Sequence, residues 1–125
     1  MLNKAEKNNI EIHSGRLKKR PEFLYVAKEG KKWVSDSIVI QAIENDTDQI
    51  HFGYTATKKI GNAVIRNRAK RRLRAATDEI LKTETLKPSK IVLIARDISP
   101  TCEWSKLLSD LKWCLKRLGV LTKID

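Results

Sequence analysis

The stretch Lys58–Arg74, KKIGNAVIRNRAKRRLR, decides how this chain is read. It carries Lys58, Lys59, Arg66, Arg68, Lys70, Arg71, Arg72 and Arg74, and no acidic residue. The apolar residues Ile65, Ala69, Leu73, Ala76 and Ile80 recur at steps of four, four, three and four. At about 100° per residue they fall in a stripe roughly 80° wide, which predicts a helix with one narrow buried seam. Asn62 after Gly61 is the expected N-cap, so the helix starts at Ala63 and runs to about Thr83. Arg66, Lys70 and Arg74 line one flank of the seam, Arg68 and Arg72 the other, and Asn67 and Arg71 point away from it. A solvated helix face normally mixes signs, because like charges at i,i+4 cost a few tenths of a kcal/mol each. An unbroken basic face therefore predicts an anionic partner, and its positive N-terminal end suits phosphate.

The composition agrees. The chain has 125 residues, a formal net charge of +11 and a pI near 9.9. That length suits one domain with a real core, and that charge suits a nucleic acid or an anionic membrane surface. No apolar run is long enough to span a bilayer, and the polar start MLNKAEKNNIEIHSG resembles no signal peptide, so the expected compartment is the cytoplasm. Cys102 and Cys114 lack CxxC spacing and read as small buried hydrophobes. His13 and His51 are too few for a metal or catalytic cluster.

Upstream of the basic stretch, residues 1–15 are expected to be a poorly ordered extension, with one domain over 16–125. RLKKR at residues 16–20 is a second basic cluster. Pro21 and Gly30 bracket a short helix in which Phe23 and Ala27 share a side and Tyr25 lies elsewhere. Lys31–Val34 is expected to be extended and Ser37–Ile43 a strand. Ile50–Thr57 alternates, with Ile50, Phe52, Tyr54 and Ala56 on one face, and is expected to form a hairpin with the preceding strand. Downstream, Thr85–Ser89 is read as a loop, and Ile91–Ala95 is a continuous apolar run suited to a central strand. Thr101 is the expected cap of a last helix whose core stripe is Trp104, Leu107, Leu108, Leu111, Leu115 and Leu118, with Cys114 beside it. The segment from the Ile50 strand to the Ile91 strand has the length of a βαβ unit, for which a right-handed crossover is the default.

No nucleotide-binding glycine loop or hydrolase elbow is present. Asp97 follows the central strand but reads as a turn residue, and no self-sufficient active site is found. Phe23, Tyr25, Trp33, Phe52 and Tyr54 are candidates for base stacking, with core packing expected for Phe52 and a surface role for Trp33.

Phe52–Arg74, FGYTATKKIGNAVIRNRAKRRLR, closely resembles the signature of the bacterial ribonuclease P protein family. The diagnostic core is Arg66-Asn67-Arg68 after Lys58-Lys59-Ile60-Gly61-Asn62-Ala63-Val64, and LKKRPEF at Leu17–Phe23 is similar to the family's opening helix. The resemblance implies an α+β fold: a single-domain α/β sandwich of order αβββαβα, ribosomal-protein-like, with an unusual left-handed βαβ crossover. It implies a subunit of an endoribonuclease that removes the 5′ leader of precursor tRNA, with catalysis by a partner RNA and its bound Mg²⁺ and no catalytic residue or metal site in the protein. It implies RNA contacts at Lys58, Lys59, Asn62, Arg66, Asn67, Arg68, Lys70, Arg71, Arg72 and Arg74. It further implies a cleft between the first helix and the sheet that holds the single-stranded leader, with Phe23 and Val39 in it. Ala27 and Gln41 stand where some members have aromatics, and Tyr25 or Trp33 would compensate.

Three other function classes use a basic helix. A non-enzymatic RNA-binding module differs by binding RNA without stimulating cleavage. A leucine-zipper basic arm needs heptads, but Pro88 and a strand follow instead. A membrane-surface helix would carry large aromatics where Ala69 and Ala76 stand.

Overall fold

The computed structural model describes residues 16–122. The expected N-terminal extension, residues 1–15, lies outside them. The elements are α1 (Arg20–Glu29), β1 (Lys31–Val34), β2 (Ile38–Glu44), β3 (His51–Thr55), a 3-10 turn (Lys58–Ile60), α2 (Ala63–Thr83), β4 (Thr85–Leu86), β5 (Ser89–Ala95), α3 (Trp104–Arg117) and β6 (Leu121–Thr122). The four long strands make one sheet in the order β1-β2-β5-β3. β5 is its centre, antiparallel to β2 and parallel to β3. The continuous apolar run explains this place: Ile91 and Leu93 are buried on one face and Val92 on the other.

The expected hairpin of β2 with β3 does not form. β2 makes its hairpin with β1, and β5 inserts between β2 and β3. β4 and β6, two residues each, pair with one another where a loop was expected. Strands this short carry no periodicity to read.

Ile38, Ile40, Ile91, Leu93 and Phe52 face α2 and α3, whose Ala69, Leu73, Leu107 and Leu111 complete the larger core. The opposite face packs Val92, Ile43 and Ile94 against Leu17, Phe23 and Val26 of the N-terminal segment and α1. The layers are thus α1, sheet, and the α2/α3 pair.

The hand of the β3–α2–β5 crossover follows from one hydrogen bond. Leu17 N donates to Phe52 O (2.9 Å), so that carbonyl points to the outer edge of β3 while the Phe52 side chain points to α2. For an L-residue this puts β5 to the left of an upward β3 viewed from α2. The crossover is left-handed, as the family resemblance implies and against the default. The N-terminal segment takes the outer edge of β3 and leaves the inner edge to β5.

The last helix also departs from expectation. Thr101 lies in a turn, and Glu103 occupies the N-cap position of α3. Cys114 is fully buried within the core stripe, whereas Trp104 is partly exposed at its margin.

Candidate RNA interface

The N-terminus of α2 is set as its sequence dictates. Asn62 Oδ1 accepts from Ile65 N (3.0 Å), closing the cap. Gly61, at φ 144°, brings the chain out of the 3-10 turn in a conformation that side chains disfavour. Ala69, Leu73, Ala76 and Ile80 are buried as expected, while Ile65 stays exposed at the end of the seam. Thr77 and Leu81 widen the seam.

The two basic flanks have different fates. On one flank Arg72 is used internally. Its Nη1 donates to Ser99 O (2.6 Å) and its Nη2 to Cys102 O (2.6 Å), and its guanidinium lies 5.9 Å from the Trp104 ring centre. Arg72 therefore clamps α2 to the loop before α3. Among the expected RNA contacts Arg72 thus stands apart, because its Nη1 and Nη2 each donate inside the fold.

On the other flank Arg74 stacks 5.7 Å from the Tyr54 ring centre, and Arg16 lies 5.8 Å from the same ring. The RLKKR cluster thereby joins the basic helix along the β3 edge. Burial pushes the Tyr54 hydroxyl pKa up; the Thr77 hydrogen bond, Arg16 and Arg74 oppose that. Of the other motif residues, Asn67, Arg68 and Arg71 are exposed, and Arg66 and Lys70 are half-buried. Lys58 and Lys59 are exposed on the 3-10 turn. Among the described residues, none of Lys58, Lys59, Arg66, Arg68, Lys70, Arg71 and Arg74 forms an ion pair with an acid. The missing counter-charge anticipated from sequence is thus missing in the fold too.

A candidate groove lies on the opposite face of the sheet, where Val39, Thr55 and Ile94 stay half-exposed. α1 packs over β1, β2 and β5 on that face. The Phe23 ring sits directly over Gly53, where a Cβ would come 2.5 Å from Phe23 Cε1. Helical spacing puts Ala27, which is exposed, one turn beyond Phe23 on the same side of α1. The register aligns the sheet residues: Thr55 beside Ile94, Ile94 beside Val39, and Val39 beside Val34. Gln41 is in the next row, beside Val92. Phe23 and Val39 thus share a face, as expected.

Tyr25 and Trp33 do not join them. The Tyr25 ring lies over Lys90 Nζ (5.4 Å), on the other flank of α1. Trp33 pairs with Ile40 and so faces α3, where it meets Trp113 edge-on at 5.6 Å between ring centres. Strand parity forbids Trp33 the groove. Neither aromatic replaces those absent at Ala27 and Gln41. Ile94 and Thr55 share the row with Val39, which sequence reasoning missed, because only the strand order brings them together. Phe52 is core, as expected, and Asp97 is exposed on the loop after β5.

Groove and basic helix meet. The uncovered row lies at the C-terminal ends of β3 and β5, and the chain leaves Thr55 directly into Lys58, Lys59 and the start of α2. Among the described residues, one end of the molecule thus presents cations without an acidic partner beside a half-exposed, largely apolar row. Among the described residues no three His, Cys, Asp or Glu side chains cluster to hold a metal ion, and no helix is long and apolar enough to cross a membrane.

Fold and surface together fit a basic α+β subunit with one face suited to a polyanion. The model of the family described as Ribonuclease P matches residues 13–119. The chain is 45% identical over 106 residues to the ribonuclease P protein component of Gluconacetobacter diazotrophicus, spanning 84% of this chain and 91% of that one. It is 31% identical over 109 residues to that of Bacillus velezensis, spanning 86% and 92%. The ribonuclease P protein of Thermotoga maritima superposes with a TM-score of 0.72 at 29% identity, over 82% of this chain and 96% of that one. That of Staphylococcus aureus gives 0.74 at 28% identity, over 86% and 97%. The chain belongs to the ribonuclease P protein family, as a subunit of the ribonucleoprotein endoribonuclease that processes tRNA 5′ ends.

Proposed function

We propose that the exposed cations of α2 and the 3-10 turn bind the catalytic RNA, while the Phe23–Val39 groove holds the single-stranded 5′ leader of precursor tRNA. The observation that carries this is the meeting of the two surfaces at the C-terminal ends of β3 and β5. A leader strand leaving the cleavage site can enter the groove while its phosphates remain beside Lys58 and Lys59.

The protein's contribution is electrostatic and positional. Two polyanions repel, and the unpaired cations of α2 supply fixed counter-charge between them. Mg²⁺ is assigned to the RNA, where phosphate oxygens provide its hard ligands; the protein's described residues do not fit as its holder. Bound there, Mg²⁺ would supply the activated water for phosphodiester hydrolysis. The cations of α2 then lower the Mg²⁺ concentration at which RNA and substrate associate. The cytoplasm is the proposed compartment.

Reconstitution with a bacterial ribonuclease P RNA and a precursor tRNA tests this. At low Mg²⁺ the mixture is expected to cleave at the mature 5′ end when neither component does so alone. Tight RNA binding with no stimulation of cleavage by the cognate RNA would favour a plain RNA-binding role.

A further inference from the structure

The strongest feature outside this interface lies at the β1 edge. Trp113, on the outer face of α3, remains 46% exposed although its edge packs on Trp33. Arg117, one turn further on, lies 4.7 Å from the Trp33 ring centre. Lys116 and Arg117 are exposed on the same end of α3. Lys31, two residues before Trp33 on β1, lines a cavity of about 410 Å³ with Leu118, Gly119 and Val120. Glu29 and Glu44 line that cavity too, and Glu84 pairs with Lys112 (3.3 Å). Among the described residues, Lys31, Lys116 and Arg117 have no acidic partner.

We propose that this edge is a second RNA-binding surface, which takes one unpaired nucleotide of single-stranded RNA by stacking its base on Trp113, with Lys31, Lys116 and Arg117 meeting the flanking phosphates. An exposed indole beside uncompensated cations is the pairing that single-strand binders use, since every base has a stacking face. Trp33 packs edge-on against the indole and is itself covered by Arg117, so little side-chain freedom is lost on binding. An apolar partner would have to desolvate Lys116 and Arg117 without compensation, which disfavours a second copy of this basic chain. The inference does not depend on the leader groove. α3 and β1 lie at the opposite edge of the sheet from β3.

The test uses the full chain carrying Arg66→Ala and Arg68→Ala, so that α2 does not mask the result. The probe is a short unstructured oligoribonucleotide containing thiouridine. Photo-crosslinks are expected at Trp113 or its neighbours on α3. Trp113→Leu is expected to weaken binding about tenfold, whereas Trp113→Phe retains most of it. Equal affinity of the Leu and Phe variants would overturn the proposal, because mere packing tolerates either. So would crosslinks confined to α2 and the groove, or self-association abolished by Trp113→Leu, which would give the face to a second copy. Circular dichroism matched between the Leu and Phe variants keeps the comparison valid.

Discussion

Arg72 Nη1 donates to Ser99 O at 2.6 Å, and Ser99 is fully buried. The Ser99 hydroxyl in turn donates to Ser37 O, and the Ser37 hydroxyl donates to Asp110 Oδ2 (2.7 Å). One polar chain therefore runs from α2 through the β5–α3 loop and the start of β2 to α3. The basic helix is held in place by one of its own cations, which leaves the others free to face outward.

Arg72→Ala should therefore destabilise the fold while its exposed neighbours do not. Two carbonyls lose a charged donor, and the expected loss in urea unfolding is about 2–3 kcal/mol. Arg68→Ala should leave stability within about 0.5 kcal/mol of the parent while weakening RNA affinity. The reverse pattern would show that the two roles have been exchanged.

Gly53→Ala should damage the groove. The new Cβ would stand 2.5 Å from Phe23 Cε1 and 3.2 Å from Leu17 Cβ, so the ring or the N-terminal segment must shift. The expected destabilisation is about 1–3 kcal/mol. Combining Gly53→Ala with Phe23→Leu should recover part of it, giving a coupling energy above about 0.5 kcal/mol in a double-mutant cycle. Strictly additive losses would mean that the ring does not rest on Gly53.

Much of this arrangement was legible in the residues. The Asn62 cap, the Ala69–Leu73–Ala76 seam and the central place of Ile91–Ala95 follow from local chemistry, and each stands where expected. The roles of Arg72 and Trp33 were not legible. Arg72 and Arg68 are the same residue type on the same flank, and only the tertiary position of Ser99 separates them. Trp33 faces α3 because β1 pairs with β2 in one register, which a four-residue strand does not announce. The false hairpin of β2 with β3 had the same origin: adjacency in sequence was taken for adjacency in the sheet, and β5 fills the gap.

RNA affinity should fall with salt in proportion to the phosphates neutralised. Each of Arg66→Ala, Arg68→Ala and Arg71→Ala should reduce the slope of log K against log salt by about 0.7–0.9. Arg72→Gln should leave that slope unchanged, since the Arg72 guanidinium is bonded inside the fold. Filter binding over a salt series distinguishes the two groups.

Stability should decline in alkali through two buried groups. Burial raises the Tyr54 pKa above 10.0 and the Cys114 pKa above 9.0, so the folded state holds these protons more tightly than the unfolded chain does. A state that binds more protons loses its advantage as they leave. The contribution is complete below pH 9 and is lost as pH rises through each folded value. Tyr54→Phe should flatten the part of the decline above pH 10, and Cys114→Ala the part beginning at pH 9, in urea midpoints measured across that range.

The division of labour between the two surfaces is tested most directly by leader length. Precursor tRNAs with a full leader and with a single-nucleotide leader would be bound to the reconstituted holoenzyme, using the parent protein and Phe23→Ala. The full leader should bind more tightly to the parent, and Phe23→Ala should narrow that gap without changing affinity for the catalytic RNA. Equal affinities for the two leaders with the parent protein would contradict the groove as the leader's site.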